Sequence, residues 1–319
     1  MNIVLIGHTV GIKRCIEAIA ATHHSIVAVF THPKEDHQPD LDLFAKRKDL
    51  FGDYAFNVFD TPDLYDIPVL EYEELSSEKE IARIQNFSPD LICTVGCRDI
   101  LTSLFIDSFD RVINLHPFNL PSFRGAGIDS WMILQGYAGS TQCATCHFIN
   151  SRIDAGNVIT TQDYYIEEHA SPLDIFKTRI NTLGQMLVDA VAKLEDPQFQ
   201  GIPQSDKDSR YFPRLNTARD GRINFKDWDG NEIVRFIRAF SYPYDGAWFT
   251  FGDRKIHTLS ARFELQEGIH PFSFGLIYKR DENSIYVFVK GGIIVASSLE
   301  ESDNPMNPSS IRLGKYANR

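Results

Sequence analysis

Several things this chain lacks narrow what it can be. No apolar run approaches the ~18 residues that span a bilayer. The opening "MNIVLIGHTVGIK" has no basic stretch ahead of its short apolar run, so it reads as a first β-strand and not a leader. An excess of cations is missing too: 32 Lys and Arg stand against 43 Asp and Glu, a net charge of −11. That balance argues against a protein whose main partner is nucleic-acid phosphate, since such binders carry surplus Lys and Arg to neutralise it. Cysteines number only five, and without a leader they point to a reducing cytoplasm and free thiols. Cys143 and Cys146 form a single CxxC, but no second CxxC or HxxxH supplies the remaining ligands of a zinc site. The segment around them reads as a strand, on which residues three apart face opposite ways. Internal repeats and low-complexity tracts are absent.

What is present, at 319 residues and 43% hydrophobic, is enough to bury a sizeable core. The first two hundred residues alternate strand-like and helix-like segments. "NIVLIG", "SIVAVFTH", "IPVLEYEEL", "DLICTVG" and "RVINLH" read as strands; "GIKRCIEAIAAT", "SEKEIARIQNF" and "LTSLFIDSF" read as helices. That alternation predicts an α/β fold, a doubly wound, mostly parallel sheet of the Rossmann-like kind, with ligands outside the carboxyl ends of the strands. Residues 33–66 interrupt it with a polar, Phe- and Tyr-bearing stretch that reads as a long, mobile excursion. A single helix over 172–194 closes the first domain, set at 1–200. The second, 201–319, starts with a Pro- and Gly-rich linker and one amphipathic helix, "NEIVRFIRAF". Strand-like runs then predict a smaller β-rich, OB-like domain.

Asn114 and His116 lie at one carboxyl strand end, two apart and so on one face. An imidazole takes and returns a proton near neutrality, and an Asn amide is a fixed donor for an oxygen that gains charge in acyl transfer. Asp154, ahead of Ala-Gly in "SRIDAGNVI", is the carboxylate that could orient the imidazole. A nicotinamide-dependent oxidoreductase would want GxGxxG after the first strand; "GHTVGI" has its second glycine misplaced.

The stretch "INLHPFNLPSFRGAG", with Trp131, Gly136 and "DAGNVI" after it, closely resembles the folate-dependent formyltransferase family. The matching positions are Asn114, His116, Leu120, Pro121, Phe123 to Gly125 and Asp154 to Gly156. The resemblance implies transfer of formyl from 10-formyltetrahydrofolate to an amine, without a metal. It implies catalytic roles for Asn114, His116 and Asp154. It implies a folate pocket lined by Gly96, Cys97, Arg98, Leu120, Pro121, Arg152 and Ile153. His8, Thr9, Arg124 and Gly125 are candidates for the second substrate. "RLNTARDGRINFKDWDGNEIVRFIRAFSYPYDGAWFTFGDRKI" resembles the tRNA and sugar-nucleotide branches, and scattered charges without a Lys/Arg cluster favour the sugar branch.

The expectation is therefore a cytoplasmic enzyme acting on a nucleotide-linked amino sugar for surface polysaccharide, with a dTDP-4-amino-4,6-dideoxyhexose first. UDP-4-amino-4-deoxyarabinose comes next, weakened by Ala126 where that enzyme carries Arg. Behind these stand methionyl-tRNA as the acceptor, and a non-catalytic protein that binds folate or a nucleotide sugar. Neither nucleic acid nor membrane is an expected partner; a homodimer through the C-terminal domain is the assembly the resemblance offers.

Overall fold

The computed structural model describes residues 1–318, and the chain divides into two compact units. The first comprises Met1–Ala126, Thr141–Ile166 and Phe176–Phe212; the second comprises Gly127–Ser140, Glu167–Ile175 and the residues from Pro213 on.

In the first unit β1 (Asn2–Gly7) leads into helix α1 (Val10–Ile19), then β2 (Ser25–Thr31) and β3 (Val69–Glu71). Helix α2 (Glu78–Gln85), β4 (Leu91–Val95), helix α3 (Ser103–Asp107) and β5 (Val112–His116) follow. The two-residue β6 (Arg124–Gly125) precedes two long strands, β7 (Ser140–Phe148) and β8 (Val158–Ile166), and pairs in parallel with the equally short β9 (Tyr211–Phe212). The main sheet has the order β3-β2-β1-β4-β5-β7-β8, parallel from β3 to β5 and antiparallel where β7 meets β5. Chain direction away from β1 reverses between β1 and β4, which is where doubly wound sheets open a ligand crevice at their carboxyl ends. Strands β1 and β4 are apolar and buried along nearly their whole length because helices cover both faces of a parallel sheet. Cys143 and Cys146 both lie on β7 as free thiols, Cys146 wholly buried.

Two expectations are corrected. Residues 33–66 do not form a structureless excursion: short helical turns fill them, and His37, Phe51, Phe56, Val58 and Thr61 are buried. Aromatic contacts between Phe44 and Phe51, and between His37 and Phe59, give the segment its own packing. The single helix over 172–194 is two, Pro172–Ile180 and Leu183–Leu194. Between them the Thr182 hydroxyl donates to the Arg179 carbonyl at 2.7 Å, the kind of local side-chain bond that competes with helix continuation.

The second unit holds an amphipathic helix, Gly230–Ala239, entered through a capping box of Asp229 and Glu232. Its sheet runs in one open path: β10 (Ala247–Phe251), β11 (Arg254–Leu265), β14 (Gly292–Glu301), β13 (Ser284–Val289), β12 (Leu276–Arg280), β16 (Lys315–Tyr316). The short β15 (Asn304–Pro305) folds back on β14. Among the described residues no helix is long and apolar enough to cross a membrane.

Candidate active site

Strand register builds the site. Asn114 on β5 pairs with Thr94 of β4 on one side and His147 of β7 on the other, so three polar side chains share one face. The Thr94 hydroxyl donates to Asn114 Oδ1 at 2.8 Å, and Asn114 Nδ2 lies 3.1 Å from His147 Nε2. His147 Nδ1 sits 2.7 Å from the Phe148 carbonyl. A carbonyl can only accept, so that nitrogen carries the proton and Nε2 is left to accept from the amide. The amide is held from both ends, with one Nδ2 hydrogen remaining for a reacting oxygen.

The same reasoning assigns the tautomer of His116. Its Nε2 is 2.6 Å from the Phe123 carbonyl and must donate, which leaves the Nδ1 lone pair to take a proton. Nδ1 lies 3.8 Å from Asp154 Oδ1, so a proton gained there would face a carboxylate. His116 is buried, and burial holds its pKa below the ordinary histidine range, against the pull of Asp154. The ring is thus neutral at neutral pH, the form a base needs.

Asp154 reaches this point from a different chain segment. Its backbone is left-handed, at φ 49°, and the Gly125 N–H donates to Oδ2 at 2.9 Å while His147 Nε2 lies 3.6 Å from Oδ1. Burial alone would raise the carboxyl. Once protonated at acid pH, the two imidazoles join the Gly125 N–H in more than offsetting that, and hold it down to about 2. Two glycines make the approach possible. A Cβ at Gly125, where φ is +108°, would meet the Phe212 carbonyl oxygen at 2.2 Å, and one at Gly156 would meet that of Phe148 at 1.8 Å.

The structure thus brings Asn114, His116, Asp154 and Gly125 together. Arg124 sits beside them, and its guanidinium donates to Gln204 Oε1 at 3.0 Å and to Asp206 at 3.2 Å. Gln204 in turn donates to the carbonyls of Asp154 and Gly156, and Arg152 grips Asp206 through contacts of 2.8 and 2.7 Å. These two arginines brace the Asp154 loop. Ile153 is exposed beside it, while Leu120 is buried, its N–H bonded to Thr145 Oγ1; Pro121 is half-buried.

A second group lies at the ends of β1 and β4. Thr9 caps α1 by accepting from the Gly11 N–H, and its methyl lies 2.8 Å from where a Cβ on Gly96 would stand. Arg98 donates to Asp40 and the Asp36 carbonyl and approaches His8 Nε2 at 3.3 Å, tying this corner to the 33–66 segment. Burial pushes the Cys97 thiol up to about 11, so it stays protonated at neutral pH.

Sequence reasoning misses Thr94, His147 and Gln204. The first two become neighbours of Asn114 only through strand register, and the third only through a loop–loop contact; nothing in local spacing marks them. Thr94→Val keeps the shape and removes the donor that orients the Asn114 amide. We expect kcat to fall about tenfold, roughly one charge-neutral hydrogen bond, with KM little changed. Steady-state kinetics would check this, and an unchanged kcat would free Thr94 of any positioning role.

Three comparisons bear on this geometry. Residues 1–191 match the formyl transferase family, and residues 216–315 match the formyl transferase C-terminal domain. Methionyl-tRNA formyltransferase from Rickettsia bellii is 23% identical over 302 residues, spanning 94% of this chain and 92% of the relative. Among solved structures, WlaRD, a sugar 3N-formyltransferase crystallised with dTDP and 5-N-formyl-THF, superposes with a TM-score of 0.65 at 16% identity, covering 95% of this chain and 98% of that one. The N-formyltransferase from Helicobacter canadensis, in complex with folinic acid and dTDP-3-aminofucose, gives 0.65 at 18% identity, with 93% and 99% covered.

Proposed function

We infer the reaction from one premise: the chain belongs to the formyl transferase family. It moves a formyl group from 10-formyltetrahydrofolate to the amine of a nucleotide-linked amino sugar. The observation that carries this reading is the convergence of an amide and a neutral imidazole of β5 with an ionised carboxylate from a separate segment.

His116 takes the proton of the attacking amine at Nδ1, and Asp154, 3.8 Å away, stabilises the cation that results. The free Nδ2 hydrogen of Asn114 donates to the carbonyl oxygen as it gains charge. With the proton held between His116 and Asp154, the same imidazole returns it to the departing nitrogen. The folate side of the cleft is read as the exposed Ile153, half-buried Pro121 and the exposed Gly96.

Charge supports the sugar over a tRNA. The chain is at −11, and in the second unit Arg219, Arg254 and Arg262 are paired with Asp220, Glu301 and Glu264. A phosphate-tracking surface needs unpaired cations in a cluster. The methionyl-tRNA reading stands second, favoured by its curated relatives.

The test offers purified protein 10-formyltetrahydrofolate with dTDP-, UDP- and GDP-linked amino sugars or methionyl-tRNA, and follows release of tetrahydrofolate. We expect turnover with a dTDP-linked 4-amino sugar to exceed that with methionyl-tRNA by at least a hundredfold. Turnover confined to the tRNA would overturn the sugar assignment, and none with any acceptor would overturn the transferase reading.

A further inference from the structure

At the other end of the same parallel strands the chain assembles three metal-ligating side chains that the reaction does not use. His23 and His24 lie in the turn between α1 and β2, and Glu195 follows the last residue of helix Leu183–Leu194. On an extended strand consecutive side chains diverge. Here the bend before β2 puts both rings on one side, with centroids 3.9 Å apart. Each ring presents Nε2 to the same carboxylate oxygen: His23 at 2.9 Å and His24 at 3.5 Å from Glu195 Oε1. All three donor atoms fall within 4.8 Å of one another.

Those spacings suit a metal. Ligands about 2.0–2.1 Å from a tetrahedral zinc ion stand roughly 3.3–3.4 Å apart, and the two measured separations bracket that value. The donor set of two imidazoles and one carboxylate is what first-row divalent ions of the zinc class take, leaving a fourth position for water. His24 is half-buried, and its Nδ1 lies 2.9 Å from the Met1 nitrogen, so Nε2 is the atom turned to the carboxylate.

We propose that His23, His24 and Glu195 form a surface site for a zinc-class divalent cation, one that clamps the start of β2 to the end of helix Leu183–Leu194. The site is structural. It sits at the amino end of β2, which runs parallel to β1, β4 and β5, whereas Asn114 and His116 sit at the carboxyl end of β5. Occupancy therefore stabilises the first unit by binding the folded state alone and leaves the chemistry untouched.

The experiment uses the untagged full chain, so that no tag competes for metal. Zn2+ is titrated calorimetrically and Co2+ by absorption, alongside thermal melts with and without each ion. We expect one-to-one saturable binding, visible Co2+ bands of a four-coordinate N/O site, and a rise in melting temperature on adding Zn2+. His23→Ala, an exposed position that unfolding does not confound, should weaken binding at least tenfold and abolish the melting shift, and Glu195→Gln should do the same. Formyl transfer should stay at the wild-type rate in both variants. Absence of saturable binding, or equal affinity in wild type and variants, overturns the site.

Discussion

His116→Ala should lower turnover at least a hundredfold in a protein that still folds, and Asn114→Ala should do likewise. The magnitudes follow from the roles. A positioned base contributes about 10²–10⁴ in rate, and one oxyanion donor about 10²–10³. Removing the imidazole leaves the Phe123 carbonyl without its 2.6 Å donor and opens a small cavity, which costs about 1–3 kcal/mol. Thermal melts run beside the kinetics separate that loss from catalysis. In Asn114→Ala His147 Nε2 loses the amide that donates to it, while the Thr94 hydroxyl keeps the Ile113 carbonyl at 3.3 Å. Because the two groups act on one transition state, the double variant should be little slower than the worse single one. Near wild-type kcat in either single variant would remove that residue from the mechanism, whatever its place in the structure.

Legibility from sequence follows a physical divide in this chain. The strands of the parallel sheet announce themselves because helices bury both faces, so β1 and β4 are unbroken apolar runs. Asn114 and His116 are readable for a related reason: two residues apart at a strand end, they must share a face. Local periodicity does not extend to residues 33–66, whose Phe44, Phe51, Phe56 and Phe59 follow neither a helical nor a strand repeat yet pack the segment into short turns. The break between helices at 181–182 carries no Gly or Pro, and only the Thr182 hydroxyl bond marks it. Partners of the site are hidden in sequence for a deeper reason. His147 meets Asn114 because β7 runs antiparallel to β5 in one particular register, and a slip of one residue would turn it to the other face. Arg124 shows the converse. Its motif position suggests a substrate contact, and the fold adds Gln204 and Asp206, far along the chain, as partners through which it braces the Asp154 loop.

Asp154→Asn isolates the charge of the acid from its shape. The amide is isosteric, and its oxygen can still accept the Gly125 N–H that the carboxylate takes at 2.9 Å. What vanishes is the negative charge facing His116 Nδ1, so the imidazolium formed as the amine attacks is buried without a counter-ion. A rate loss of about 10³–10⁴ is expected, in the range seen when a catalytic imidazole loses its carboxylate. The pH profile should respond in a defined direction. Asp154 is ionised down to about pH 2 and so does not titrate in the working range. The enzyme's own share of the acid limb of kcat/KM therefore belongs to His116, whose pKa burial already holds below 6.5, and it is separated from protonation of the acceptor amine by comparing wild type with the variant on one acceptor. Asp154 opposes that depression by favouring the protonated ring. Deleting its charge lowers the His116 pKa further, so the limb moves to lower pH even as the plateau drops. A limb that stayed in place, or moved upward, would mean that Asp154 does not act through His116, and the proton would have to be assigned to another group.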